Sequence, residues 1–391
     1  MAPRARRLVL CLLALTACAV VSGCTRYDLA RLAGDDTAGR NNNTAGSTLA
    51  RQFIIDQLKP IANGLNTAAT GDAAYTQTLP GGTNVVAVIP GSELPAKYVI
   101  VGAHYDHLGS SCTYKSSGDT ICNGATDNAA GVSAALEIGR AIAGGPQPRR
   151  SVVIALWDAE EDGLVGSKYY TDHPLVPLAD TVGYINFDIQ GSNLTPSLRN
   201  TSFAVGSETG GAGFQQIVHS AISASTLNTE TLSSIFGQNR SDYVNFIAKQ
   251  VPTVFFTDAT GPCYHTNEDE IGVVDFTKLN HQIAIALRVT RDLANATTPP
   301  AFVPNTPLAT FADAVVLQAA AELIWQDRDR FSAADQQTIS DIRGRLTQMV
   351  QDGEAAFDSN DVSTLLSDAA TVVISILPKG ECDGFLTSSS G

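Results

Sequence analysis

The sequence predicts an α/β protein, with a mostly parallel or mixed central sheet flanked by helices and a helical appendage at the C-terminal end. Three observations carry that reading. Short apolar runs alternate with helix-like stretches through the middle of the chain. Most of those runs are continuous Val/Ile/Ala rather than apolar/polar alternation, which suits strands covered on both faces. A proline-rich break then separates this body from a helical remainder. At 391 residues, 44 % hydrophobic and 16 % charged, the chain is globular in composition and long enough for an enzyme-sized core.

Arg4, Arg6 and Arg7 followed by the apolar stretch Leu8 to Val21 read as an export leader, too short to span a bilayer comfortably. The leader ends in Val21-Ser22-Gly23-Cys24, which resembles a bacterial lipobox, with Cys24 as the lipidated residue. An ordinary signal peptide cut nearby, or an uncleaved anchor, is the alternative. We expect residues 1–23 as a lipoprotein signal peptide and 24–37 as a polar tether. No later stretch reads as long and apolar enough for a membrane helix. The protein is then exported and lipid-anchored to the bacterial cell envelope, on its periplasmic or extracellular face.

The body is expected over 38–296. Leu49, Phe53, Ile54, Leu58 and Ile61 recur at helical spacing. Strands are predicted at Val85–Ile89, Tyr98–Ala103, Val152–Trp157, Val182–Phe187 and Val251–Thr257. Helices are predicted at Ala129–Ala143, Gly166–Tyr170, Gly211–Ser225 and Phe276–Ala294. Four prolines mark 297–307 as a linker. In the extension 308–391, Ile339, Ile342, Leu346, Met349 and Val350 form one helical face behind a Ser332/Asp335 cap.

The formal charge of −14 argues against a sequence-independent grip on nucleic acid phosphates, and no nucleic-acid partner is expected. Beyond Cys24, four cysteines remain, which permits two disulfides in an oxidising compartment. Cys112 and Cys122 bracket a short polar stretch and are expected to pair. Cys263 with Cys382 stays open, and the spacing does not support a thiolate zinc site.

The chemistry sits where each predicted strand ends. Tyr98–Ala103 runs into His104-Tyr105-Asp106, Val152–Trp157 into Asp158-Ala159-Glu160-Glu161, and Val182–Phe187 into Asp188. The run Val251–Thr257 precedes a loop with Tyr264-His265, and Asp127 stands just before a helix. Carboxyl ends of parallel strands line one crevice, so these side chains converge although distant in sequence. Converging carboxylates repel unless a cation sits among them, and two imidazoles make a metal the natural answer. Five donors (His104, Asp127, Glu161, Asp188, His265) exceed one tetrahedral ion and suit two if a carboxylate bridges. Nitrogen and oxygen donors fit zinc, with manganese or cobalt as alternatives. Glu160, not needed as a ligand, can take a proton from the attacking water and pass it to the leaving amine. Alone, each of these residues has a plainer reading: a backbone-bonded histidine, a solvated acidic pair, a turn-capping Asp. His107, His173, His219 and His281 read as surface or packing residues.

In this order, His104-Tyr105-Asp106, Asp127-Asn128, Glu160-Glu161, Asp188, Arg240-Ser241-Asp242 and His265 resemble the M28 family of co-catalytic zinc peptidases, over roughly residues 38–295. The resemblance implies a zinc aminopeptidase-like fold and two Zn²⁺. Asp127 would bridge them, His104 and Asp188 would complete one site, and Glu161 and His265 the other. It also implies Glu160 as general base, Asp106 as the residue orienting His104, and Tyr264 and Arg240 as stabilisers of the tetrahedral intermediate. Peptides would be the substrates, most simply through removal of the N-terminal residue. A carboxypeptidase, a glutaminyl cyclase, or a non-catalytic envelope binding module are the alternative functions. Three features depart from the family pattern: Tyr243 stands where a His is usual, 89–98 is too short for a protease-associated insert, and the helical tail is extra. Oligomeric state and side-chain preference are not legible.

Overall fold

The computed structural model describes residues 23–115 and 118–382, so the expected leader lies outside them except for Gly23. One mixed sheet contains β1 (Asn63–Gly64), β2 (Thr76–Leu79), β3 (Gly82–Ile89), β4 (Leu94–His104), β5 (Arg150–Trp157), β6 (Thr181–Phe187), β7 (Thr201–Val205), β8 (Asn228–Leu232) and β9 (Thr253–Thr257). The order is β1-β3-β5-β4-β6-β9-β7-β8, with β2 on β3. The four central strands β5, β4, β6 and β9 are parallel, and β3 and β7 join them antiparallel. Ala103 faces both Leu156 and Phe187, and Phe187 faces Phe256. The segments after these residues therefore leave the sheet along one edge.

Burial on both faces explains the continuous apolar runs. Every residue of β5 and β6 is buried. Val99, Val101, Ile154 and Leu156 pack on one side with α1 (23–32), α2 (Ala45–Leu58), α3 (Ala130–Ala143), α5 (Gly211–Ile222) and α7 (Phe276–Asn295). Ile100, Val153, Ala155 and Trp157 face the other way, toward α4 (Val165–Asp172) and α6 (Tyr243–Ile247). Local chemistry sets the helix starts. The Thr44 hydroxyl accepts from the Ser47 N–H at 3.1 Å, and the Asp275 carboxylate accepts from the Thr277 and Lys278 N–H groups at 3.0 and 3.1 Å.

The expected tether is not one. Residues 23–32 form α1, whose Leu29 and Leu32 are fully buried in the main core, and the carboxylate of buried Asp28 takes two hydrogen bonds from Arg140. Charges at Arg26, Asp28 and Arg31 disguise this short amphipathic turn as a polar spacer. Strands β2 and β8 carry no apolar run (TQTL, NTETL), and β7 carries only the three residues Phe203-Ala204-Val205, too short to stand out by hydropathy.

Beyond 297–307, which has no helix or strand, come α8 (Phe311–Gln326), α9 (Ala333–Asp352) and α10 (Ser359–Ala370). They dock on the second face: Ile324, Ile339, Ile376 and Leu377 join Leu198, Phe203 and Leu232 in one cluster. Asp313 caps α8 and also accepts from the N–H and hydroxyl of Ser233, both at 2.8 Å. One sequence expectation fails here. Ser359–Lys379 is long and apolar enough to cross a membrane by length and composition, although only 22 % of the most apolar stretch is buried. Interspersed Ser and Thr mask it in the sequence. Two disulfides form, Cys112–Cys122 and Cys263–Cys382. The second joins the tail to the loop carrying Tyr264 and His265.

Candidate metal centre

The strand edge gathers all five expected donors. His104, at the end of β4, is 1 % exposed, with Nε2 3.2 Å from Asp127 Oδ1 and 3.4 Å from Asp188 Oδ1. His265 Nε2 lies 3.3 Å from Asp127 Oδ2 and 3.1 Å from Glu161 Oε2. The Asp127 carboxylate thus stands between two donor sets, one oxygen toward each. Its Oδ2 is buried and accepts no hydrogen bond among the described residues. An orphaned carboxylate oxygen is costly in a dry interior, and a cation between the donor sets relieves that cost. The residues present therefore fit metal binding. Glu160 Oε2 is 4.0 Å from His104 Nε2, at the margin of the first set.

The main chain is held in place by buried polar groups. The Asp106 carboxylate accepts from the backbone N–H groups of Glu160 and Glu161, at 3.1 and 3.2 Å, and its Oδ1 is 3.6 Å from His104 Nδ1. Asp106 therefore fixes the Glu160-Glu161 pair as well as facing His104. Asp269 does the same for Asp127, accepting from the N–H groups of Thr126 and Asp127 and from the Thr126 hydroxyl, at 2.9, 3.0 and 2.8 Å. Asn128, joined to Asp127 by a cis peptide, donates to the Phe187 carbonyl at 2.8 Å and accepts from the Gly131 N–H. Ala159, Ile189 and His265 all have positive φ. Left-handed backbone at non-glycine residues is uncommon, and here it sits on or beside three donor positions, where it re-aims the chain as it leaves the sheet.

Besides Asp269, two residues escaped the sequence reading. His107 is fully buried, and its Nδ1 lies 2.8 Å from Glu161 Oε1, while His265 takes the other Glu161 oxygen. It is neither a surface nor a simple packing residue, because it holds one side of an expected ligand. Its position three residues after His104 was the available signal. Arg40 is also fully buried. Its guanidinium donates to the carbonyls of Tyr105 (3.0 Å), Leu32 (2.7 Å), Gly124 (3.0 Å) and Asn123. Those contacts brace the turns that present His104 and Asp127.

The electrostatics follow from four carboxylates packed around imidazoles. Burial works against a charged His104, yet Glu160, Asp188 and its other acidic neighbours raise its pKa well above the usual value. Burial likewise opposes a charged His265, but Asp127 and Glu161 lift it to about 10. Burial and Asp127 push Glu161 up, and the two imidazoles nonetheless hold it down at about 2. Burial drives Glu160 well up, with Asp188 and Asp242 adding to the rise against the pull of His104. Metal-free, the cluster balances its charge with bound protons.

A cleft of about 550 Å³ opens over Asp127, Glu160, Glu161 and Asp188. Tyr264 and Arg240 line it, and Arg240 Nη2 donates to the Tyr264 hydroxyl oxygen at 2.9 Å. The Tyr264 ring stacks on His265 with centroids 3.7 Å apart. Burial and the acidic cluster raise the Tyr264 pKa, so the phenol keeps a proton it can donate into the cleft. The role that the family resemblance implies for Tyr264 predicts that its replacement by Phe lowers kcat roughly 10²–10³-fold with little change in KM, the size of a lost oxyanion donor; steady-state kinetics check it. Tyr243, where the family usually has His, points elsewhere: its hydroxyl donates to the Ser234 carbonyl and accepts from the Asn239 N–H. It organises the 234–239 turn rather than the metal centre.

A parallel-centred sheet with paired imidazoles and carboxylates along one strand edge is the framework of a metal-binding enzyme centre. The model of Peptidase family M28 matches residues 84–290, more than half the chain, and the chain belongs to that family. It is 35 % identical over 189 residues to aminopeptidase NAALADL1 of Mus musculus, covering 46 % of this chain and 20 % of that protein. It is 31 % identical over 166 residues to leupeptin-inactivating enzyme 1 of Streptomyces exfoliatus, covering 42 % and 34 %. The chain thus spans a fifth to a third of these relatives. The fold is shared with the LapA aminopeptidase of Legionella pneumophila, at TM-score 0.56 and 18 % identity, over 71 % of this chain and 73 % of that one.

Proposed function

We propose that the protein is a di-zinc aminopeptidase that removes the N-terminal residue of peptides. The observation that carries this reading is the Asp127 carboxylate, with one oxygen toward His104 and Asp188 and the other, which accepts no hydrogen bond among the described residues, toward Glu161 and His265. His104, Asp127 and Asp188 would hold one ion, and Asp127, Glu161 and His265 the other. Zinc there would polarise the scissile carbonyl, acidify the attacking water and neutralise the buried carboxylates. Glu160 takes a proton from that water as its oxygen bonds to the carbonyl carbon. It then delivers the proton to the amine nitrogen as the C–N bond breaks. Tyr264 donates to the carbonyl oxygen as charge develops there, and Arg240 fixes the phenol from behind. Asp106 keeps the Glu160-Glu161 backbone in register with His104.

Arg240 supports a second reading. A guanidinium beside the cleft can also clamp a terminal carboxylate, as a carboxypeptidase needs. One experiment separates the two. The full chain is stripped of metal, titrated with zinc, and given one peptide with a free and with an acetylated N-terminus, the products being identified by mass. Loss of the first residue from the free form alone, maximal near two zinc per chain, is expected. Release from the other end of both forms assigns a carboxypeptidase, and release from neither removes the exopeptidase reading. We further propose export and lipid anchoring through Cys24; the leader pattern and the two disulfides support it.

A further inference from the structure

Next to the catalytic cleft lies a larger cavity, lined almost entirely by aliphatic and aromatic side chains. Its inner wall comes from the family domain, through Phe203 and Leu232 on β7 and β8. Its outer wall comes from the extension, through Ala321 and Ile324 on α8 and Leu346 on α9. Phe236, Gln238, Thr257, Ala259 and Val373 line both the cavity and the cleft, so the two spaces lie side by side and share a wall. Resting on the aminopeptidase reading, we propose that this cavity receives the large apolar side chain of the substrate's N-terminal residue. The C-terminal extension is then a specificity element.

Three observations point to that occupant rather than to a charged or unrelated ligand. The one carboxylate in the lining, Asp368, is already held by two hydrogen bonds from Arg345 and offers no free charge. On the wall shared by the two spaces, Gln238 has a buried side-chain oxygen with no hydrogen-bond partner among the described residues, a spare neutral acceptor beside the cleft. The extension is also fastened at the catalytic loop. Thr260 donates to the Val373 carbonyl at 2.5 Å, and Lys115 Nζ donates to the carbonyls of Pro262 and Gly380, both at 2.7 Å. With Cys263–Cys382, these contacts hold Val373 against the cleft. A pocket walled by a docked helix layer can discriminate by size, because each methylene in such a pocket is worth about 10–200-fold in kcat/KM.

The test uses the zinc-loaded full chain with amide substrates bearing N-terminal Ala, Leu or Phe. Wild type is expected to prefer Leu and Phe. Ala321→Phe, which fills the cavity from α8, is expected to lower the Leu/Ala and Phe/Ala ratios of kcat/KM at least tenfold. Leu346→Ala, which enlarges it from α9, is expected to raise the Phe/Leu ratio. The second variant keeps the test open if the first does not fold, as judged by its melting transition. Ratios unchanged in a folded variant, with all three substrates affected alike, overturn the pocket while leaving the aminopeptidase reading standing. A wild type that releases no N-terminal residue overturns both.

Discussion

Glu160→Gln is expected to lower kcat by roughly 10²–10⁴-fold while zinc bound per chain stays at the wild-type value. The amide keeps the shape of the side chain and loses only its capacity to accept a proton. His104, Asp127, Glu161, Asp188 and His265 are untouched by the change. Geometry makes the metal measurement decisive, because Glu160 stands close enough to His104 and Asp188 to form a metal-binding triad with them. If Glu160 were a ligand, the variant would lose zinc along with activity. Retained zinc with lost turnover assigns it the proton, and co-purified or titrated metal measured beside single-turnover rates reads both. Glu161→Gln is the contrast. Its carboxylate meets His265 and His107 on opposite oxygens, and its replacement is expected to lower zinc occupancy as well as rate.

The parts of this centre that were legible in the sequence are those that strand ends carry. His104, Glu160-Glu161 and Asp188 each follow an apolar run, and the parallel order of β5, β4, β6 and β9 brings those ends together. Asp127 and His265 could be placed because they open a helix and follow a strand. What stayed hidden acts through the main chain. Arg40 serves carbonyls that any residue could supply, and Asp269 serves mainly N–H groups together with the Thr126 hydroxyl, so sequence identity hardly betrays either. The short strands β7 and β8 were missed for a related reason. Part of their burial comes from the extension, whose docking cannot be read from local periodicity. The same omission hid the apolar cavity, which exists only once α8 and α9 are placed.

Arg40→Met is expected to destabilise the metal-free protein by about 3–5 kcal/mol, the scale of breaking a buried charge network from one side. Two losses add. Four carbonyls lose a hydrogen bond in a buried site: those of Leu32 and Gly124 keep a second one, from the Thr37 hydroxyl and the Ala129 N–H, while those of Tyr105 and Asn123 lose the guanidinium's. The acidic cluster also loses a cation. Burial lowers the Arg40 pKa to about 10 against the opposing pull of Asp127, Asp269, Asp106 and Glu161, so the guanidinium is still charged at neutral pH. The two losses respond differently to metal. Zinc in the cluster restores positive charge but gives nothing to the carbonyls, so adding zinc should raise the melting temperature more in the variant than in wild type. Equal zinc-induced shifts would mean that Arg40 acts through its carbonyl bonds alone. Arg40→Lys sharpens the point, since an ammonium keeps the charge but cannot span the four carbonyls as the planar guanidinium does. It is expected to match the wild-type zinc response while remaining less stable. Arg40 lies on the segment between α1 and α2, outside the matched family region, so this support for the metal centre comes from the N-terminal arm.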